Sequence, residues 1–172
     1  MKSILNLIVA TTLCFTINSK AQEQVSLSLH QDLKFAIIGD EQGGHSTRII
    51  DITARFKMQG KQQQFGYMVI YPAFQYANLL GIYKRYYANV GYSFNRLFIK
   101  NFEAMAGLNY GIQDRFSKSF LTFGADFELS YNISEKFKFS LLAQVVERKD
   151  LAVFYDDYKL GFSGSFGLEF NL

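Results

Sequence analysis

Hydrophobic and polar residues alternate with a period of two along most of the chain. In the last segment, YKLGFSGSFGLEFNL at 158–172, the even positions are Tyr, Leu, Phe, Gly, Phe, Leu, Phe and Leu, and the odd positions are Lys, Gly, Ser, Ser, Gly, Glu and Asn. Successive side chains of a β-strand point to opposite sides, so this alternation predicts a strand with one apolar and one polar face. The open question is which solvent the apolar face meets.

The same alternation recurs upstream and predicts eight strands, most of them about 10 to 15 residues long and therefore longer than the usual strands of soluble sheets. The predicted strands cover 25–37, 49–58, 64–71, 86–95, 101–113, 120–132, 137–148 and 158–172. The difference between the apolar and the polar face is weakest in 64–71. There Tyr67, Val69 and Tyr71 are assigned to the apolar face, although the apolar residues Met68 and Ile70 fall on the other face.

The predicted connections alternate between short and long. Those at 58–62, 95–100 and 132–136 are short, those at 39–47, 72–85 and 148–157 are long, and the one at 113–118 is intermediate. Such alternation is typical of an up-and-down meander whose two ends differ.

The size of the apolar side chains favours lipid as their solvent. The chain has 18 Phe, 11 Tyr, one Pro and no Trp. An eight-stranded barrel is only wide enough inside to be filled by side chains, and the Gly and Ser of the polar face suit that space better than the aromatic residues do. Because an open sheet edge in hydrocarbon leaves backbone groups unpaired, the first strand must pair with the last. The predicted fold is all-β: an eight-stranded antiparallel up-and-down transmembrane β-barrel. The alternative is a soluble β-sandwich or small barrel with the apolar face inside.

The first 21 residues have the features of a secretory signal peptide. Lys2 precedes an apolar run over 4–15, and a small residue, Ala21, marks the predicted cleavage site. The predicted domains are therefore a signal peptide at 1–21 and one barrel at 22–172. Cys14, the single cysteine, lies in the signal, so no disulfide is expected. Without Lys2 and Lys20 the 18 basic residues become 16 against 15 acidic ones, a balance that argues against nucleic acid as a partner.

Together the signal peptide, the even set of amphipathic strands and the apolar ending FGLEFNL resemble the small eight-stranded outer-membrane barrels of the OmpA/OmpX type from Gram-negative bacteria. The resemblance implies an integral outer-membrane location among membrane lipid and lipopolysaccharide. It also implies that the barrel-insertion machinery reads the last strand, where Phe170 is the aromatic residue nearest to the end.

The polar face carries a nearly balanced set of charges. Because unpaired charges in a narrow lumen are costly, we expect these residues to form a structural network that plugs the barrel. Arg55 is expected at its centre, with Asp126 or Glu128 as its partner. The expected members are Asp32, Lys34, Asp51, Arg55, Glu103, Asp126, Glu128, Lys138, Lys159 and Glu169, with Lys57 on the same face.

Candidate catalytic residues are few. His45 stands beside Ser46 in a predicted external loop, but neighbouring residues of an extended segment point apart and do not form a nucleophile–base pair. No cofactor or metal site is predicted, since the mature chain has no Cys and no close pair of His. The favoured function is a non-enzymatic membrane protein that supports the envelope or makes surface contacts through its external loops. The alternatives are an enzyme that modifies outer-membrane lipid through the His45 region and a narrow pore.

Overall fold

Eight strands with alternating faces close into an antiparallel barrel in the computed structural model, which describes residues 24–39, 49–79, 81–95, 101–153 and 159–172. Each strand pairs with its neighbours in sequence, and β1 pairs with β8 to close the sheet. The strands are β1 (Gln24–Asp32), β2 (Asp51–Gln59), β3 (Gly66–Leu79), β4 (Gly81–Phe94), β5 (Phe102–Arg115), β6 (Lys118–Asn132), β7 (Phe137–Arg148) and β8 (Lys159–Asn171). The predicted fold class, including its closure by the first and last strands, is confirmed.

Two short helices lie at the end of the barrel opposite the chain termini. Helix α1 spans Leu33–Ile37, and a 3₁₀ helix spans Lys149–Val153. Within the described residues, no helix is long and apolar enough to cross a membrane.

The prediction that the first strand continues to Ile37 is wrong. β1 ends at Asp32, whose side chain accepts a hydrogen bond from the Phe35 amide at 3.0 Å and so caps α1. An aspartate that satisfies a free amide of the first turn favours a helix start over a longer strand. Alternation in residues 33–37 therefore does not reflect a strand.

The predicted long connection at 72–85 is also wrong, because these residues belong to a hairpin. β3 and β4 pair without interruption from Gly66 opposite Phe94 to Leu79 opposite Gly81. Gly81 has a φ of +84°, a value that glycine adopts without steric cost at a tight reversal. Pro72 lies within β3, where the pairing with β2 skips Tyr71 and Pro72 while the pairing with β4 continues. A proline has no N–H to donate to a ladder.

The connection predicted at 113–118 is shorter than expected as well. β5 continues to Arg115 and β6 begins at Lys118, which leaves Phe116 and Ser117 as a two-residue turn with φ of 51° and 59°. Two left-handed residues are the geometry of a tight hairpin turn that matches the twist of its strands. The links at 40–48, 96–100 and 154–158 fall outside the described residues.

Large apolar side chains cover the outer face of every strand, and polar side chains fill most of the inner face. Each strand exposes at least one such residue, for example Leu29, Phe56, Ile70, Val90, Leu108, Phe127, Leu141 and Phe166 in chain order. Each strand also buries polar or aromatic residues in the lumen, for example Ser28, Arg55, Tyr71, Asn89, Asn109, Asp126, Gln144 and Ser165.

One strand has its faces reversed relative to the prediction. Tyr67, Val69 and Tyr71 of β3 are buried in the lumen, whereas Met68 and Ile70 face outward with 41% and 40% exposure. Strand pairing explains the assignment, because Val69 lies opposite Gln59 of β2 and Gly91 of β4, which both face inward.

Aromatic pairs on the outer face form two bands. Toward the end with the termini, Phe102 packs on Tyr131 and Phe137 on Phe170, with ring centroids 4.9 and 5.1 Å apart. Toward the other end, Tyr110 packs on Phe123 at 4.8 Å. Two aromatic bands around an apolar belt are typical of barrels whose outer face meets a bilayer.

Candidate functional site

The lumen contains three connected clusters of polar side chains. The first is centred on Arg55, which is fully buried on β2. Its Nη1 lies 2.8 Å from Glu128 Oε2 in an ion pair, its Nε donates to Ser28 Oγ at 3.1 Å, and its Nη2 lies 2.8 Å from His30 Nε2. The guanidinium also stacks over the Tyr71 ring, 5.2 Å from its centroid. Glu128 is thus the ion-pair partner of Arg55.

Opposite charges alternate from Arg55 toward the end with the termini. Lys57 Nζ contacts Glu128 Oε1 at 2.7 Å and also pairs with Glu169. Lys138 Nζ lies 3.6 Å from Glu169 and 3.1 Å from Glu103. The resulting series of alternating charge crosses from β2 to β5 through β6, β7 and β8. Each charge of this series therefore has a partner of opposite sign, which offsets its desolvation.

The second cluster surrounds Asp126, which is fully buried on β6. Its Oδ2 accepts hydrogen bonds from Tyr71 Oη at 2.5 Å and Asn89 Nδ2 at 3.0 Å. Its Oδ1 accepts from Asn109 Nδ2 at 2.7 Å and Gln144 Nε2 at 3.0 Å. Four donors on β3, β4, β5 and β7 thus use the full accepting capacity of one carboxylate.

The third cluster lies toward the end with the helices. Asp150, in the 3₁₀ helix, accepts from Arg115 Nη1 and Arg148 Nη2, each at 2.8 Å. Burial would raise the pKa of Asp150, but the hydrogen bonds and positive charge of Arg148, with the hydrogen bond from Arg115, lower it to about 2. Arg85 is fully buried on β4 and donates to Thr122 at 3.3 Å and to Asn109. Asn109 therefore connects Arg85 to Asp126.

The structure places most of the predicted charged residues in the lumen. Asp51 is buried and accepts from Gln75 at 2.9 Å, and Asp32 is buried as the cap of α1. Lys34 is a correction: it is exposed on α1, because the chain leaves the strand at Asp32. The side chain of Lys159 lies outside the described part of the structure, as do His45 and Ser46.

Several residues of the network were not predicted from the sequence. Arg85, Arg115, Arg148 and Asp150 were assigned to connections or strand ends, and Tyr71 to the outer face. The signal that identifies Arg85 is its spacing: it continues the odd-numbered inward series of Tyr87, Asn89 and Gly91 back along β4. In the described ranges, no three carboxylate, histidine or cysteine side chains converge as metal ligands would.

The comparisons with known proteins concern the fold. No family model and no curated protein sequence matches the chain. Among solved structures, the Yersinia pestis outer membrane protein Ail, determined in a phospholipid bilayer nanodisc, matches with a TM-score of 0.53 and 12% identity, over 87% of this chain and 99% of that one. The chain has the fold of a small eight-stranded outer-membrane barrel. The resemblance predicted from the strand pattern is thereby confirmed at the level of the fold.

A de novo designed transmembrane β-barrel also matches, with a TM-score of 0.45 and 8% identity, over 88% of this chain and 96% of that one.

Proposed function

We propose that the protein is a non-enzymatic integral protein of the bacterial outer membrane. The observation that carries this proposal is the inside-out distribution of side chains: apolar residues cover the outside of a closed barrel, and charged residues with ion-pair or hydrogen-bond partners lie inside it. Water does not favour a contiguous apolar surface that encircles a protein, whereas a bilayer does. The fold shared with Ail supports the same location.

We further propose that the ends of the barrel have different roles. The end with both termini is assigned to the periplasm, because an even number of strands brings both termini to one end and a signal peptide at 1–21 would deliver the chain from that side. The opposite end contacts lipopolysaccharide and surface partners through its connections and contributes to envelope integrity. The last strand, β8, whose final aromatic residue is Phe170, is the segment that we assign to the barrel-insertion machinery.

The lumen, in this proposal, is plugged. One layer of the lumen is almost fully shielded, since five of its side chains are at most 1% exposed: Arg55, Tyr71, Asn89, Asp126 and Gln144. With Asn109 of β5, these residues come from six strands that their contacts link across the lumen. An ion that passes this layer would have to displace charges that already have partners. We therefore expect no conductance above background when the protein is inserted into a planar bilayer. Stable single-channel steps would contradict the plugged lumen and favour the narrow pore.

Two matched substitutions test whether the outer face meets lipid. Phe127 and Phe137 have similar exposure, 52% and 48%, but Phe127 lies within β6 and Phe137 begins β7 at one aromatic band. In vesicles, Phe127→Arg is expected to cost about 2–4 kcal/mol of folding free energy and Phe137→Arg about 0–1 kcal/mol, because the penalty for a charge depends on depth in the bilayer. Urea titration of the refolded protein measures both. Equal and small losses would identify a soluble β-domain.

A further inference from the structure

The lumen opens into a cavity of about 650 Å³ at the end that carries both termini. We call this cavity the vestibule. Side-chain amides dominate its wall, among them those of Gln24, Gln59, Gln62, Asn101, Asn132 and Asn171. Two of these amides bond to other lining residues: Gln62 donates to Asn95 and Asn132 donates to Glu103, each at 3.1 Å.

Several of these amides have no hydrogen-bond partner among the described residues. Gln59 is only 7% exposed, yet its side chain makes no hydrogen bond in the described part of the chain; the side chains of the half-buried Gln24 and the exposed Asn101 make none there either. Asn171 donates to the Glu135 carbonyl at 2.7 Å, but its Oδ1 is buried without a donor. A shielded acceptor without a donor, as Asn171 Oδ1 is, is unfavourable, and the amides of Gln24, Gln59 and Asn101 are open to a ligand, so the wall of the vestibule is suited to a ligand that supplies both donors and acceptors.

The charges at the inner end of the vestibule cancel when Arg55, the ion-pair partner of Glu128, is counted with them. Lys138 pairs with Glu103 at 3.1 Å, and Tyr67 donates to the same carboxylate at 2.7 Å. Beyond them, Lys57 lies between Glu128 and Glu169. These ion pairs are internally satisfied, so among the described lining residues the only charge without an ion pair is Glu135, which is exposed at the rim of the vestibule, and the buried wall itself has no free charge to select an anion or a cation. A neutral polar ligand fits this electrostatic balance.

The closed sheet distinguishes between two neutral polar ligands, a peptide and a glycan. A peptide that is recognised by strand addition needs an open sheet edge, and the barrel has none because β1 pairs with β8. A glycan presents neighbouring hydroxyls that each donate and accept, and a side-chain amide offers two donors and an acceptor in one plane. Ile133, which lines the vestibule and is 61% exposed, adds an apolar surface for the C–H face of a sugar ring.

We propose that the vestibule binds a neutral glycan through its side-chain amides, with N-acetylated hexosamines as the preferred class. Their acetamido groups supply an N–H and a C=O that complement the Gln and Asn side chains. This inference depends on the barrel and its described end, and it holds whichever membrane or solvent surrounds the outer face.

The experiment titrates the refolded full-length mature protein in detergent micelles with a trimer of β-1,4-linked N-acetylglucosamine, by calorimetry and by the NMR shifts of Asn and Gln side-chain amides. Two variants remove vestibule amides. Asn101→Gly is the safer one, because Asn101 has a φ of 75° that glycine adopts readily. Gln59→Leu removes the buried amide. The matched control is Ser117→Gly, which changes another left-handed residue, with a φ of 59°, at the opposite end.

We expect saturable binding that shifts the amide signals of the vestibule, is weaker for the glucose trimer without acetamido groups, and is reduced about tenfold by either vestibule variant. Ser117→Gly is expected to bind like the parent. If Gln59→Leu does not fold, Asn101→Gly decides alone. The proposal is overturned if neither sugar binds saturably, if both vestibule variants bind like the parent, or if an unstructured Gly-Ser peptide binds as well as the acetylated trimer. None of these results bears on insertion into lipid, which the vesicle experiment measures separately.

Discussion

Two buried carboxylates of β6 are stabilised in different ways. Glu128 pairs with the cations Arg55 and Lys57, whereas Asp126 is surrounded by neutral donors and, among the described residues, has no cation within ion-pair distance. Hydrogen bonds to a charged acceptor are stronger than those between neutral groups. Asp126 therefore links β6 to β3, β4, β5 and β7 through hydrogen bonds rather than through a charge pair.

Replacement of Asp126 with Ala is expected to destabilise the barrel by about 3–5 kcal/mol, since it strands four buried donors at once. The control is Asp114→Ala, because among the described residues the Asp114 side chain accepts only from Ser119, in a solvent-exposed contact at 2.6 Å beside the β5–β6 turn. That variant is expected to change stability by less than about 0.5 kcal/mol. Urea titrations in vesicles compare the two, and similar losses for both would show that Asp126 has no special structural role.

Asp150 predicts how the helical end responds to acid. Its pKa in the folded protein is lowered from 3.8 to about 2, so its ionised form is favoured by folding. The stability that it contributes is complete above about pH 3.8 and is lost as the pH falls through about 2. We expect Asp150→Asn to be less stable than the parent at neutral pH and to lose less stability between those two pH values. Parallel pH profiles of unfolding free energy for parent and variant would contradict this assignment.

At the scale of the element, β3 shows how strand pairing overrides the pattern of hydrophobicity. Both faces of this strand are apolar or aromatic near Met68, Val69 and Ile70, so the residues themselves do not determine which side is the lumen. Val69 is paired with the inward-facing Gly91, and the Tyr71 hydroxyl meets Asp126 inside the barrel. An aromatic residue with a polar tip is well placed where its hydroxyl has a partner.

Single tryptophan substitutions test the orientation of β3, because the chain has no Trp of its own. Ile70→Trp is expected to fold and to be strongly quenched by brominated lipid chains, since Ile70 faces outward. Val69→Trp is expected to destabilise the barrel by overpacking, by about 1–3 kcal/mol, and to be quenched little if it folds. Fluorescence in vesicles of brominated and ordinary lipid measures both, and stronger quenching at position 69 would mean that the faces are assigned the wrong way round.

At the scale of the whole molecule, the barrel has two ends that differ in chemistry. The end with the termini has the amide-lined vestibule, and the opposite end has α1, the 3₁₀ helix and the Arg115–Asp150–Arg148 cluster. An even number of strands brings both termini to the same end. The barrel therefore has two possible orientations in a membrane, with the termini on one side or on the other. Accessible probes at opposite ends of the barrel distinguish between them.

Cysteine probes at Ser117 and Lys61 test this orientation. Both positions are exposed, Ser117 in the β5–β6 turn and Lys61 between β2 and β3. The single natural cysteine, Cys14, lies in the predicted signal peptide, so the mature protein offers a clean background. On intact cells a membrane-impermeant maleimide is expected to label Ser117→Cys, and to label Lys61→Cys only after the outer membrane is permeabilised. The reverse result would place the vestibule outside the cell.

The sequence by itself determined the number of strands, their antiparallel order and the face of seven of them. In seven strands the inner and outer residues differ in size and polarity, and a period of two repeats over many residues, so local physics is sufficient. The inward position of Arg55, Asp126 and Glu128 follows from that period alone. The lengths of the hairpins did not follow from the sequence, because Pro72 and the residues after it are compatible with a loop as well as with a strand.

Only the tertiary structure decided which side chains meet across the lumen. Arg55 had two candidate acids, Asp126 and Glu128, which lie two residues apart on the same face of β6. The stagger between β2 and β6 pairs Arg55 with Glu128. The same stagger brings Asn89, Asn109 and Gln144 to Asp126, although these residues lie on three different strands. Alternation assigns a residue to a face, but the shear between strands that are not neighbours sets its depth and its partners, and that shear exists only once the sheet closes.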